Sequence, residues 1–549
     1  MRAAVPQPIF DPPERFNIAE YFLGDRIREG WGGRRALLTD GGEKTYAEVD
    51  ALANRYGHLL RRAGVRPEER VLIALPDGPD FVGALFGTLR IGAVGVMLNP
   101  YLRRDEISYF FRYTRGAVLL VDSGRADAFR EAASPGVADA GAGSAADDGE
   151  GLRWGEEISA PRETFVVDRP RFRERLHGQP ATLDPFPTHR HDPALWLFSG
   201  GTTGRPKGVV QTHASFANTT ECYGKRVLGL TEDDITLSVP KLFFGYATGS
   251  NLFFPFSVGA TAALFPERCT PEVLFHRIET FRPTILVNVP TMIRLMVAQP
   301  DAAGRDLSSL RLATSAGEAL PPELHRRWRD TWGVPLLDGL GTAEMWHIFL
   351  SNRPEEVHPG TLGRAVPGFD VRVCDDEGRE LPDGEVGWLR VRGGSRALGY
   401  WQRADATAEA FRGEWYVSGD MVVRDERGVF RYCGRGDDML KVKGKWLSPG
   451  EVEDCLLQHA AVADAAVVGV PGRDGLVQPV AWIVPAGANS DATGLAATLR
   501  TFVASRLASY KAPAAVHVVD ALPRTHLGKV DRAALRETVT GVSRRRGAP

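Results

Sequence analysis

The sequence predicts an α/β protein. A large N-terminal domain of mostly parallel sheets layered with helices carries a β-rich subdomain, and a small α+β C-terminal domain follows. Three observations predict this. Short apolar runs alternate with amphipathic helical stretches through the first part of the chain, the pattern of a parallel sheet covered on both faces. From Val371 to Tyr432 the texture changes to short strands separated by tight glycine turns. Beyond Gly434 the last stretch, about 115 residues, suits a small separate domain.

Residues 45–65 read as a capped amphipathic helix stopped by Gly64. Residues 71–75 form a short buried strand, 81–89 a helix and 93–98 a strand again. The stretch 132–151 is poor in aromatics and rich in Gly, Ala and Ser, and reads as a mobile surface insertion. Residues 194–198 are an apolar run that reads as a buried strand. Turns at Gly378, Gly384, Gly413 and Gly428 divide the β-rich subdomain, which occupies 365–435. The polar joint from Arg435 through Gly436 and Asp437 to Asp438 sets a boundary between domains 1–435 and 436–549. In the second, 451–457 and 495–507 are helices, and 465–470 and 480–484 are strands.

The 549 residues carry a net charge of −2, which suggests neither nucleic acid nor an anionic membrane as partner. The basic tail Arg544, Arg545 and Arg546 reads as a solvated terminus. Five scattered cysteines without a C-x-x-C pair disfavour disulfides and a zinc site and fit a reducing compartment. The N-terminus lacks an apolar signal core, and no apolar run reaches the about 18 residues of a membrane span. The expectation is a soluble, cytoplasmic protein.

The most informative segment follows the strand at 194–198. Ser199, Gly200, Gly201, Thr202, Thr203, Gly204, Arg205, Pro206, Lys207 and Gly208 run consecutively. Glycines let backbone N–H groups approach and surround an anion, hydroxyls add donors, and Lys207 adds a point charge. The pattern is not a Walker loop: Pro206 precedes the lysine, and Gly208 stands where a magnesium-binding hydroxyl would be.

An ordered series of segments follows it. These are Pro240 to Tyr246, Ser315 to Leu320, Asp338 to Glu344, Trp415 to Asp420, Cys433 to Gly444, Ser448 to Glu453, and Pro523 to Arg532. In type, order and spacing, over roughly residues 40–535, the series resembles the adenylate-forming enzymes, the superfamily of acyl-CoA synthetases, adenylation domains and luciferases. The segments Lys241 to Tyr246 and Glu344 to Asn352 look most like the benzoate–CoA ligase branch.

The resemblance implies an ATP-dependent aryl-acid–CoA ligase that uses ATP, Mg2+ and coenzyme A. Residues 199–204 and Lys207 hold phosphate. Glu344 is similar to the family's magnesium ligand, and a hard carboxylate oxygen suits that ion. Lys529 resembles the lysine that bridges the substrate carboxylate and the α-phosphate. Asp420 looks like the ribose ligand, reinforced by Arg435, although an Asp after Gly419 also suits a turn cap. Ala316, Gly317, Glu318 and Ala319, with Asp338, Gly339 and Leu340, wall the adenine. Phe243, Gly245, Tyr246, Ala316, Gly317, Gly341, His347 and Ile348 surround the aryl ring, the small residues leaving a flat slot. Tyr246 or His347 offers a hydrogen bond to a ring substituent. These aromatics suit ordinary core as well. Phe243 gates the pantetheine channel, and Lys443 and Gly444 face it in a second pose reached by rotation of the mobile small domain about Asp437.

One departure stands out. The family carries Thr immediately before the glutamate; here that position is Ala343, and the hydroxyl lies one residue earlier, on Thr342. Thr342 therefore either substitutes or leaves a bond unmade. Leu340 replaces a frequent aromatic. The alternative acceptor is a carrier-protein phosphopantetheine supplied in trans; a silent nucleotide-binding regulator is the rival of another class. The ring substituents of the acid, and monomer against homodimer, stay open.

Overall fold

The structure, a computed structural model, describes residues 9–133, 160–200, 205–436, 439–442, 445–472, 476–487, 492–524, 530–532 and 534–538. Most of the stretch read as an insertion lies outside the described residues. Two large sheets form the body. The first has nine strands, with a parallel centre built from Leu336–Gly341, Leu312–Ser315, Ile285–Asn288, Ile235–Ser238, Thr261–Ala263 and Arg35–Thr39. Antiparallel strands finish both edges. The second has seven strands, with a parallel run Pro193–Ser199, Val94–Met97, Arg70–Ala74, Val118–Val121 and Glu163–Val166. Parallel strands need both faces covered, and their near-continuous apolar runs meet that requirement. Arg70–Ala74 is buried from Val71 onward, and Val118–Val121 along its whole length.

The helix Tyr46–Arg62 starts where the sequence reading places it. Thr45 accepts from the Glu48 N–H, and Glu48 reaches back to the Thr45 N–H. It packs against Pro79–Arg90 through glycine. A Cβ on Gly87 would lie 2.6 Å from the Ala53 carbonyl oxygen and 2.8 Å from the Gly57 nitrogen. The two backbones therefore approach more closely than any side chain permits.

Strands Asp370–Cys374, Val386–Arg392, Trp415–Arg424, Phe411–Arg412 and Phe430–Arg435 form an antiparallel five-stranded sheet, the β-rich unit. All four turn glycines have positive φ: +88° at Gly378, +89° at Gly384, +60° at Gly413 and +77° at Gly428. Beyond it, Val462–Pro471, Val477–Pro485 and Ala515–Val518 make a three-stranded sheet, with helices Pro449–Leu457 and Ala492–Ala504. The last helix begins and ends three residues earlier than the sequence pattern places it. Two apolar clusters in this part draw only on residues from Leu440 onward. Among the described residues no helix is long and apolar enough to cross a membrane, and all five cysteines are free.

Gly87→Ala tests the helix contact. Alanine is the better helix former by about 1 kcal/mol, but overpacking costs about 1–3 kcal/mol. The expected result is a lower denaturant midpoint; a higher one would mean that the helices separate without strain.

Candidate active site

The glycine- and threonine-rich segment joins two antiparallel strands. Pro193–Ser199 pairs antiparallel with Lys207–Thr212, and Ser199 sits opposite Lys207. Lys207 is thus anchored on a strand, with its backbone fixed by the ladder. Its ammonium lies 4.6 Å from the centroid of the Tyr400 ring. Gly208 is buried, and its N–H donates to the Tyr113 hydroxyl at 3.0 Å. Gly200 is exposed, and Gly201, Thr202, Thr203 and Gly204 lie outside the described residues.

Glu344 sits in a single 3-10 turn, Ala343–Met345, at the end of Leu336–Gly341. It is 3% exposed, and its Oε1 accepts from the Tyr400 hydroxyl at 2.8 Å. Burial and the neighbouring carboxylate push that phenol well above its usual range, which keeps it a donor. The Glu344 carbonyl accepts from the Ala397 N–H at 2.8 Å. Gln211, on the hairpin strand, donates to the Ala343 carbonyl at 2.6 Å. Thr342 caps the turn, accepting from the Met345 N–H at 3.4 Å, and is hydrogen-bonded to the Tyr416 phenol. The Ala343 side chain packs against the core.

Asp420 lies inside the strand Trp415–Arg424 and not at a turn, so the turn-cap reading does not hold. It pairs in register with Arg435 on the next strand. Its carboxylate is 4% exposed and accepts from the Ser418 hydroxyl, from the Tyr432 hydroxyl at 3.3 Å and from Arg435 Nη1 at 3.4 Å.

Of the residues expected around an aryl ring and an adenine, Ala316 follows the parallel strand Leu312–Ser315, and Asp338 to Gly341 lie in Leu336–Gly341. Ile348 opens the antiparallel strand Ile348–Ser351, and Tyr246 lies in the short helix Gly245–Thr248. His347 and Ile348 are buried, and the Tyr246 and His347 ring centroids are 5.3 Å apart. The Tyr246 hydroxyl is engaged by Thr314 at 2.6 Å. His347 Nε2 lies 3.0 Å from the Tyr246 carbonyl and 3.0 Å from Ser250 Oγ. A carbonyl only accepts, so Nε2 carries the proton and Nδ1 is left as an acceptor. That Nδ1 is buried without a partner among the described residues. Burial pushes the imidazole down to about 4. Phe243 is partly buried, with its ring 4.6 Å from that of Phe244.

The small residues need a correction. A Cβ on Gly245 would meet Leu197 at 2.9 Å, and one on Gly341 would meet the His347 carbonyl oxygen at 2.4 Å. Those two glycines serve close packing of the protein against itself and leave no slot. Gly317 differs: a Cβ there meets nothing within 4 Å, and φ is +86°. Ala316 is buried, while Glu318 and Ala319 are exposed, with Glu318 accepting from Thr291 at 2.7 Å. Asp338 is buried opposite Ser315, and burial pushes its carboxyl well above the usual range. Its Oδ1 has no partner among the described residues. Gly339 is buried and Leu340 packs on the core. Lys529, Lys443, Gly444 and Asp437 lie outside the described residues.

The AMP-binding enzyme family model matches residues 25–401, and the model of the AMP-binding enzyme C-terminal domain matches 451–529. This chain belongs to the AMP-binding, adenylate-forming enzyme family. Within the family it falls in the benzoate–CoA ligase branch. It is 38% identical over 535 residues to the benzoate–CoA ligase of Thauera aromatica, covering 96% of this chain and 97% of that protein. The crystal structure of the anthranilate CoA ligase AuaEII with anthranoyl-AMP superimposes with a TM-score of 0.85 at 35% identity, over 96% of this chain and 98% of that one. A benzoate CoA ligase from Burkholderia xenovorans LB400 gives a TM-score of 0.83 at 37% identity, over 95% and 100%.

Several partners in this AMP-binding enzyme escaped the sequence reading. Tyr400, Gln211, Tyr416, Ser418 and Thr314 each bond a residue that the motifs single out. Only the pair Ser418 and Asp420 is close in sequence, so motif inspection had no local signal for the others.

His347 yields a test. With its proton on Nε2 and its pKa pushed down, the imidazole stays neutral between about pH 6 and 8. Ring-labelled NMR is expected to find a non-titrating Nε2–H tautomer over that range. A midpoint near the ordinary histidine value would contradict the burial described.

Proposed function

We propose that this chain is an ATP-dependent aryl-acid–CoA ligase. In the first half-reaction an acid carboxylate oxygen attacks the α-phosphorus of ATP, and the bond to pyrophosphate breaks. In the second the CoA thiol attacks the acyl carbon of the aryl-adenylate, and AMP leaves. The observation that carries the reading is the full-length likeness to benzoate– and anthranilate–CoA ligases together with the polar set the fold assembles.

Each group has a role in that chemistry. Charge gathers on the α-phosphate as pyrophosphate departs, and fixed donors and cations must meet it. The hairpin 199–207 supplies N–H groups, hydroxyls and the Lys207 ammonium. Asp420, oriented by Ser418, Tyr432 and Arg435, takes the ribose hydroxyls. Asp338 Oδ1, without a partner among the described residues, suits a polar edge of the adenine. Among the described residues no group of three or more His, Cys, Asp or Glu forms a metal cage. Magnesium carried by ATP phosphates and met by one carboxylate fits this donor set, and Glu344 would hold it. Bound there, the ion would neutralise charge on the phosphates. Lys529 would reach the α-phosphate from the small domain, and rotation about Asp437 would exchange it for the Lys443 and Gly444 loop.

Tyr246, Ile348 and His347 support a planar aryl acid. The Tyr246 phenol is taken by Thr314, so His347 Nδ1 is the acceptor left for a ring amino or hydroxyl group. A long alkyl chain that stays outside forfeits about 0.8 kcal/mol for each methylene left in water. ATP–pyrophosphate exchange is expected to be highest with benzoate, 2-aminobenzoate or a hydroxybenzoate and weak with octanoate. Preference for the fatty acid would sink the proposal, and product analysis with CoA against a carrier protein identifies the acceptor.

Lys529→Ala is expected to slow aryl-AMP formation by about 10²-fold or more, as loss of a transition-state donor does. Aryl-CoA formation from supplied aryl-AMP should survive. Equal loss of both steps would contradict two poses of the small domain.

A further inference from the structure

Residues 397–401 lace together two parts of the site that are far apart in sequence. Leu398 N–H donates to the Val210 carbonyl at 2.9 Å, and Trp401 N–H to the Gly208 carbonyl at 2.8 Å. These bonds place Gly399–Tyr400 as an edge strand on the phosphate hairpin, with Tyr400 opposite Val209. The same segment grips Glu344 twice, through the Ala397 N–H on its carbonyl and the Tyr400 hydroxyl on Oε1, both at 2.8 Å. Tyr400 is 9% exposed, and the Lys207 ammonium sits 4.6 Å from its ring centroid. One aromatic side chain therefore touches both the buried carboxylate and the strand-anchored cation.

We infer that Tyr400 is a positioning residue for the nucleotide-borne magnesium: its phenol fixes one oxygen of Glu344 and leaves Oε2 for the ion, while its ring holds Lys207 ready for the phosphates. The inference rests on the reading of Glu344 as the magnesium ligand. A carboxylate that coordinates with one oxygen needs the other held, because partners behind a ligand orient it and their loss weakens metal binding. A cation over an aromatic face is attracted without being neutralised, so the ammonium remains available to an anion.

The test uses the full chain with Tyr400→Phe, Tyr400→Leu and, as reference, Glu344→Gln. Mn2+ binding is read by electron paramagnetic resonance in the presence of α,β-methylene ATP, with no acid and no turnover. Tyr400→Phe keeps the ring and loses the donor. It is expected to weaken Mn2+ binding by about tenfold or more and to raise the Mg2+ demand of pyrophosphate exchange. Aryl-CoA formation from supplied aryl-AMP should be unchanged. Tyr400→Leu should add a higher KM for ATP, since the seat of Lys207 is gone. If Tyr400→Phe binds Mn2+ like the parent while Glu344→Gln does not, the inference on Tyr400 fails and Glu344 stands. Unchanged Mn2+ binding in Glu344→Gln overturns both. Equal loss of the two half-reactions in Tyr400→Phe reduces Tyr400 to a structural role and overturns the inference.

Discussion

A carboxylate taken out of water must be met by donors, and Glu344 is the place where this constraint organises the protein. Its side chain is nearly inaccessible and receives a single hydrogen bond, from Tyr400, among the described residues. An ionised group so placed is costly unless further charge or donors complete it. Two distant parts of the chain and one local cap converge to hold it. The hairpin strand sends Gln211 to the Ala343 carbonyl, the turn is capped by Thr342, and segment 397–401 clasps backbone and carboxylate. The two large sheets thereby share one joint, so displacement of either moves the carboxylate.

Asp420 shows the same constraint met in full. Ser418, Tyr432 and Arg435 all donate to it, and the antiparallel register places Arg435 directly opposite. The contrast with Glu344 is chemical. Under the proposed reading, a carboxylate that takes sugar hydroxyls is served by three donors that hold it rigid and leave about one of its four acceptor sites open. On the same reading, a carboxylate that takes up an ion needs an oxygen left over. On the apolar side, His347 is kept neutral by burial and, among the described residues, is bonded through Nε2 alone. Charge is thus gathered where phosphate chemistry would occur and excluded from where the ring would lie.

What the sequence made legible follows from range. The turn glycines at 378, 384, 413 and 428 were readable because a positive φ is a local demand that few other residues meet. The Thr45 helix start and the buried strands follow equally local rules. Tyr400 and Glu344 are 56 positions apart and Gln211 and Ala343 are 132 apart, and no periodicity links such pairs. The small residues misled for another reason. Glycine is favoured both by a positive φ and by close backbone contact, and sequence alone does not separate the two; only coordinates assign Gly317 to the first and Gly341 to the second.

The missing threonine at Ala343 can be weighed in the same terms. Its loss removes a charge-assisted bond worth about 1.5–3 kcal/mol unless another hydroxyl serves. Thr342 has one proton and two lone pairs. One lone pair accepts from the Met345 N–H, and the Tyr416 phenol is the other partner. Burial and the Glu344 carboxylate push that phenol well above its usual range, so it keeps its own proton to give. The Thr342 contact works the other way and lowers its pKa, the effect of a threonine hydroxyl donating to the phenol oxygen, so the threonine proton is spent on that phenol. Thr342 is therefore held by a cap on one side and a phenol on the other, and both contacts tie its hydroxyl down at the turn that carries Glu344.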